Sequence, residues 1–159
     1  MAVMHRTLLA VCATVVMVAG TGAVTKGAGM VVPEADLVHH GRAALSQGRL
    51  TLSVESENHG PAALENATLR LAFSTPLAGD RELPPSCLWS GDSVVLCATG
   101  PLGAGAAGRR TVLELRAEEA PDEVVLTVGT HWNGGAADGR PANNEHEVLV
   151  PGTGEPSVF

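Results

Sequence analysis

"SCLWSGDSVVLC" (Ser86–Cys97) sets two cysteines ten positions apart around a Ser-Gly-Asp-Ser centre, and its reading decides between helix and sheet. On a helix the interval would place Cys87 and Cys97 about 15 Å apart, from a rise of about 1.5 Å per residue. A disulfide needs Cα atoms within about 7 Å. On a hairpin with Gly91-Asp92-Ser93 as a three-residue loop, Ser90 opposes Val94, Trp89 opposes Val95, Leu88 opposes Leu96 and Cys87 opposes Cys97. Directly opposed residues lie about 4.5–5.5 Å apart, so the bond closes. A two-residue Gly-Asp loop would put Cys87 opposite Leu96 unless a bulge intervened, so the odd loop fits better. A redox pair wants a CxxC spacing and an electropositive setting, and no basic residue lies in this loop. The expectation is a cross-strand disulfide, Cys87–Cys97.

The same period of two runs through the chain. "LTLSVES" puts Leu50, Leu52 and Val54 on one face, and "TLRLAF" does so with Leu69, Leu71 and Phe73. "TVLELRA" sets Leu113 and Leu115 together. "EVVLTVGTHW" does the same with Val124, Leu126, Val128 and Trp132, and "EHEVLV" with His146, Val148 and Val150. Alternation of this kind marks strands with one buried face. Breaks rich in Gly, Pro, Asn and Asp separate them: "ENHGPA", "STPLAGD", "TGPLGAGAAG", "EAPDE" and "NGGAADGRPANN". About seven strands with turns this dense predict an all-β chain, an antiparallel immunoglobulin-like β-sandwich. Ala35–His40 reads as an edge strand, although "DLVHHGRAALSQG" has room for a short helical turn.

The ends read differently. Arg6, an apolar run from Leu8 to Val18 and then small residues follow the order of a secretory signal peptide, with Thr21 and Ala23 suited to the −3 and −1 positions. The run is shorter than the roughly 20 residues that span a bilayer. Residues 1–23 are therefore expected to be a signal peptide, 24–34 a flexible linker, 35–150 the sandwich domain and 151–159 a flexible tail. Cys12 leaves with the leader, and the even pair that remains fits an oxidising compartment. The mature chain then holds 9 basic and 17 acidic residues, net −8. Nucleic-acid binding is excluded on that balance, because displacing counterions takes lysines and arginines. Lys26 is the one lysine and there is no tyrosine, so stacking platforms for bases have little material.

The order of short motifs resembles the immunoglobulin-like conserved repeat domain of bacterial surface and secreted proteins, a family of unknown function related to bacterial cell-adhesion modules. The motifs are "ADL" at Ala35–Leu37, "ENHGPA" at Glu57–Ala62, "ELPPSC" at Glu82–Cys87, "VVLCATGPLGAGAAG" at Val94–Gly108 and "DGRPANNEHEVLV" at Asp138–Val150. The resemblance implies a sandwich used as a spacer, stalk or contact module.

Candidate sites are sparse. His39-His40 is the most metal-like pair, but strand neighbours point to opposite faces. His59, His131 and His146 lack ligand spacing, which favours solvated or locally hydrogen-bonded imidazoles. "DGRPANNE" clusters Asp138, Asn143 and Asn144, oxygen donors that calcium accepts and that turns equally use for their own backbone. "NAT" (Asn66–Thr68) matches a glycosylation acceptor, a motif frequent by chance. No G-x-S-x-G elbow appears, and the Glu118-Glu119 and Asp122-Glu123 pairs read as solvated charge. The expected function is a secreted or surface-associated structural or protein-interaction module. It would be without catalysis or cofactor, without a stable membrane span once the leader is cleaved, and with a protein or cell-envelope partner. The alternative is a secreted metal-binding module using His39, His40, His131 and His146. A less favoured third is an accessory domain of a secreted hydrolase.

Overall fold

Gln47 and Gly48 both adopt positive φ, 50° and 75°, the backbone of a two-residue type I′ hairpin turn. That turn joins β2 (Leu37–Ser46) to β3 (Arg49–Asn58), and the antiparallel register runs unbroken from Ser46↔Arg49 to Leu37↔Asn58. The edge strand expected over Ala35–His40 needs correction. Ala35 falls outside β2, and Ser157–Val158 pair with Ala43 and Arg42 on the side away from β3, so β2 is an inner strand that runs on to Ser46. No helical turn interrupts it, because the positive-φ pair reverses the chain directly into β3. The computed structural model describes residues 31–80 and 82–159. The signal peptide over 1–23 and most of the linker over 24–34 lie outside the described residues.

The remaining strands are β1 (Glu34–Ala35), β4 (Thr68–Phe73), β5 (Cys87–Trp89), β6 (Val94–Ala98), β7 (Arg109–Arg116), β8 (Glu123–Trp132), β9 (Ala137–Asp138), β10 (His146–Pro151) and β11 (Ser157–Val158), with a short 3-10 turn at Pro141–Asn144. They form two antiparallel sheets, in the orders β11-β2-β3-β7 and β10-β8-β4-β6-β5, and a short parallel pair of β1 with β9. The inward rows pack between the sheets. Leu45, Leu50, Leu52, Val54 and Leu115 from the first meet Leu69, Leu71, Val95, Leu126, Val128 and Val150 from the second. A fully buried leucine contributes about 1.5–3 kcal/mol, so this alternation holds the sandwich together. A smaller cluster of Ala35, Leu37, Leu64, Ala67, Leu102 and Ala136 closes one end.

The hairpin that decided the fold is built as its sequence requires. Cys87 faces Cys97 in a disulfide, Leu88 faces Leu96 and Trp89 faces Val95, and Ser90 N–H donates to the Val94 carbonyl across the three-residue loop at 2.9 Å. Two further expectations need correction. Trp132 does not continue the inward row of β8 and is 48 % exposed. The register between β4 and β8 shifts at Thr68/Leu69, a bulge that re-aims the residues beyond it. Nor is 151–159 a loose tail. Ser157 and Val158 pair with Ala43 and Arg42, and Gly41 and Phe159 exchange both backbone hydrogen bonds, at 2.9 and 3.1 Å. Phe159 packs against the main core, and that apolar C-terminal anchor orders the segment.

Candidate functional site

The first sheet ends at β7, and hydrogen-bond alternation fixes which of its backbone groups face outward. Gly41 turns both backbone groups toward Phe159, so its opposite residue Val54 turns away from β2 and toward Thr111 of β7. Groups alternate along a strand, so Thr111, Leu113 and Leu115 bond to β3, while Arg110, Val112, Glu114 and Arg116 present theirs to the open side. The Ala78 N–H bonds to the Arg116 carbonyl at 2.8 Å, which confirms the phase and covers that end. Between it and Gly108, a groove follows an edge that no strand covers among the described residues. Pro84, Ser86 and Gly100 wall one part of it and Glu82, Leu83 and Pro85 another, with Val112 lining both. Pro84 and Pro85 have no N–H to offer β7, so the neighbouring segment runs beside the strand without pairing to it. Val112 is 57 % exposed, as is Leu88 on β5, the outer strand of the other sheet. Arg109 and Arg110 supply positive charge at the groove's start.

A second polar region lies at the end of the sandwich where β1, β2, β9 and the 3-10 turn meet. Asp36 Oδ1 accepts from Asn143 Nδ2 at 2.8 Å, and its Oδ2 accepts from the Arg140 guanidinium. Asp138 accepts from the Arg140 N–H at 2.8 Å, from Asn144 Nδ2 at 2.9 Å and from the Leu37 N–H at 3.3 Å. The Asn143 bond, helped by Arg140, holds the Asp36 carboxyl below the ordinary carboxylate range despite its burial. Asp138, Asn143 and Asn144 are thus brought together as their spacing implied, joined by Asp36 and Arg140. Internal donors, one of them a cation, occupy the carboxylate oxygens that a calcium ion would use.

The histidines do not converge. His39 points inward, 1 % exposed, with Nδ1 2.9 Å from the Ser56 hydroxyl and Nε2 2.8 Å from that of Thr130. Burial pushes its pKa down to about 4, and neighbouring His146 and His40 disfavour a further positive charge. His40 points outward, 3.9 Å from Glu57. His146 stacks obliquely near Phe159 at 5.7 Å, and His131 is exposed beside Trp132. His39, His40, His131 and His146 therefore do not form one ligand set.

Sequence reasoning missed Asn58, which is buried at the end of β3. Its Oδ1 accepts from the Asp36 and Gly60 N–H groups at 3.2 and 3.0 Å, and its Nδ2 donates to the Ala62 carbonyl at 2.7 Å. A Cβ at Gly60 would stand 2.5 Å from the Ala35 Cα, so the Asn-x-Gly spacing was the available signal for a tight crossing. Among the described residues no helix is long and apolar enough to cross a membrane. Comparison with protein-family models, curated proteins and solved structures finds no match for this chain.

Proposed function

We propose that the chain is an exported, non-catalytic protein-contact module that takes a partner's extended strand along the free edge of β7. The observation that carries this reading is the outward set of backbone groups at Arg110, Val112 and Glu114 beside a proline-walled groove. Strand addition draws its affinity from main-chain hydrogen bonds, and its specificity from side-chain contacts along the same edge. Here Val112 offers the apolar contact, and Arg109 favours an acidic residue in the incoming segment, Arg110 being paired with Glu55. The leader-like order of residues 1–23 and the Cys87–Cys97 disulfide support export. The resemblance of the motif order to that of bacterial surface domains supports a contact role over a catalytic one.

The test is a photo-crosslinking residue at Val112 in the full chain, made in the cells that naturally produce it. A specific adduct is expected, and Glu114→Pro should abolish it, because proline removes an outward N–H without touching a bond to β3. An equal adduct from Leu149 on β10, no adduct at all, or survival of the adduct in Glu114→Pro overturns the proposal.

A further inference from the structure

The outer face of the β2–β3 hairpin gathers a different set of groups, beside the start of the β7 edge at Gly108 and Arg110. The register opposes His40 to Glu55, and Glu57 lies two residues further along the same face of β3. One ligand atom from each of His40, Glu55 and Glu57 lies within 4.8 Å of the other two. His40 Nε2 is 3.9 Å from Glu57 Oε1, and His59 Nε2 is 2.7 Å from Glu57 Oε2. Gly108 makes this crowding feasible. A Cβ there would stand 2.6 Å from Glu55 Cγ and 2.8 Å from Glu57 Cγ, so a side chain at 108 would force the two glutamate stems apart. Two carboxylates this close repel unless a cation lies between or beside them. Arg110 reaches Glu55 Oε2 at 3.3 Å, while Glu57 has imidazoles for company on both oxygens.

We infer that His40, Glu55 and Glu57 form a binding site for a divalent transition-metal ion of the zinc class, with His59 as a positioning residue that holds the second Glu57 oxygen. Mixed imidazole and carboxylate donors suit zinc, whereas calcium and magnesium call for shells built of oxygen. Donors around a tetrahedral zinc ion lie about 3.4 Å apart, given bonds of about 2.1 Å. Small side-chain rotations close the present separations to that value, and His40 is free to make them because it stands on the solvent face. A ligating carboxylate oriented by a hydrogen bond at its other oxygen is the usual support for such a centre, and His59 supplies it. The alternating pattern of β3 places both glutamates on the solvent side, so the site is assembled without disturbing the core.

Calorimetric titration of the full chain with Zn²⁺ at pH 7.5 tests this. The expected result is one bound equivalent that is lost in Glu57→Gln and in His40→Gln and kept in His131→Gln. His59→Gln should weaken affinity at unchanged stoichiometry. Zn²⁺ should also raise the thermal unfolding midpoint of the parent chain and leave that of Glu57→Gln unmoved. Absence of Zn²⁺ binding, binding undiminished in Glu57→Gln, or Ca²⁺ binding as tightly as Zn²⁺ overturns the inference.

Discussion

The two stapled-looking hairpins of this protein are held by different physics. The β2–β3 hairpin pairs ten residues with ten and contributes Leu37, Ala43, Leu45, Leu50, Leu52 and Val54 to the interior. Its turn is two residues long and its strands carry no covalent link. The β5–β6 hairpin pairs only three residues of β5, at the edge of its sheet, with Leu88 turned to solvent. Three residues with one face exposed bury too little to offset the entropy of ordering them, and a disulfide supplies the constraint that burial does not. Long strands under a second sheet need no staple, whereas a short edge strand does.

Three perturbations break or sharpen that contrast. The largest effect is expected from Leu50→Ala, which opens a cavity in the hairpin that depends on burial and should cost about 4 kcal/mol in urea denaturation. The paired change Cys87→Ala with Cys97→Ala should cost about 2–3 kcal/mol, the range for a short closed loop. Amide exchange should quicken at β5 and β6 while β2 and β3 stay protected. If the Cys pair cost more than Leu50→Ala, the division between burial and covalent constraint would be wrong.

The smallest effect probes the weak point in the apolar hairpin, His39. Its folded pKa is pushed down to about 4 from an ordinary 6.5, so the unfolded chain binds the extra proton between those values. Stability is therefore fully present above about pH 6.5 and lost as pH falls toward 4. Between pH 7 and pH 5 the loss should be about 2 kcal/mol. It is read as a fall in the urea midpoint that His39→Gln removes. A midpoint flat over that window would mean that the imidazole is protonated inside the fold.

The candidate features differ in how far they could be read from residues alone. The Cys87–Cys97 register was legible because a three-residue loop and one covalent constraint leave a single pairing. The oxygen cluster of Asp138, Asn143 and Asn144 was legible because its members, with Arg140 between them, are close in sequence, but Asp36 joins it only where the chain entering β2 passes the 3-10 turn. The His40–Glu55–Glu57 group was not, since it depends on the Gln47–Gly48 turn being two residues long. One residue more would have slid β2 against β3 and moved every cross-strand pair. The C-terminal segment read as polar and loose until Phe159 found the core.

By itself the sequence determined what alternation can determine: strands, their buried rows, the breaks between them and one disulfide. These are local properties, set by the opposite directions of successive side chains on an extended backbone. Only the tertiary structure decided which of two adjacent histidines is buried against Ser56 and Thr130, which edge of the first sheet stays open, and which acids meet which imidazoles. Each of those depends on register and on how the second sheet lies over the first. Nothing in a single strand's pattern specifies its neighbour across the sheet.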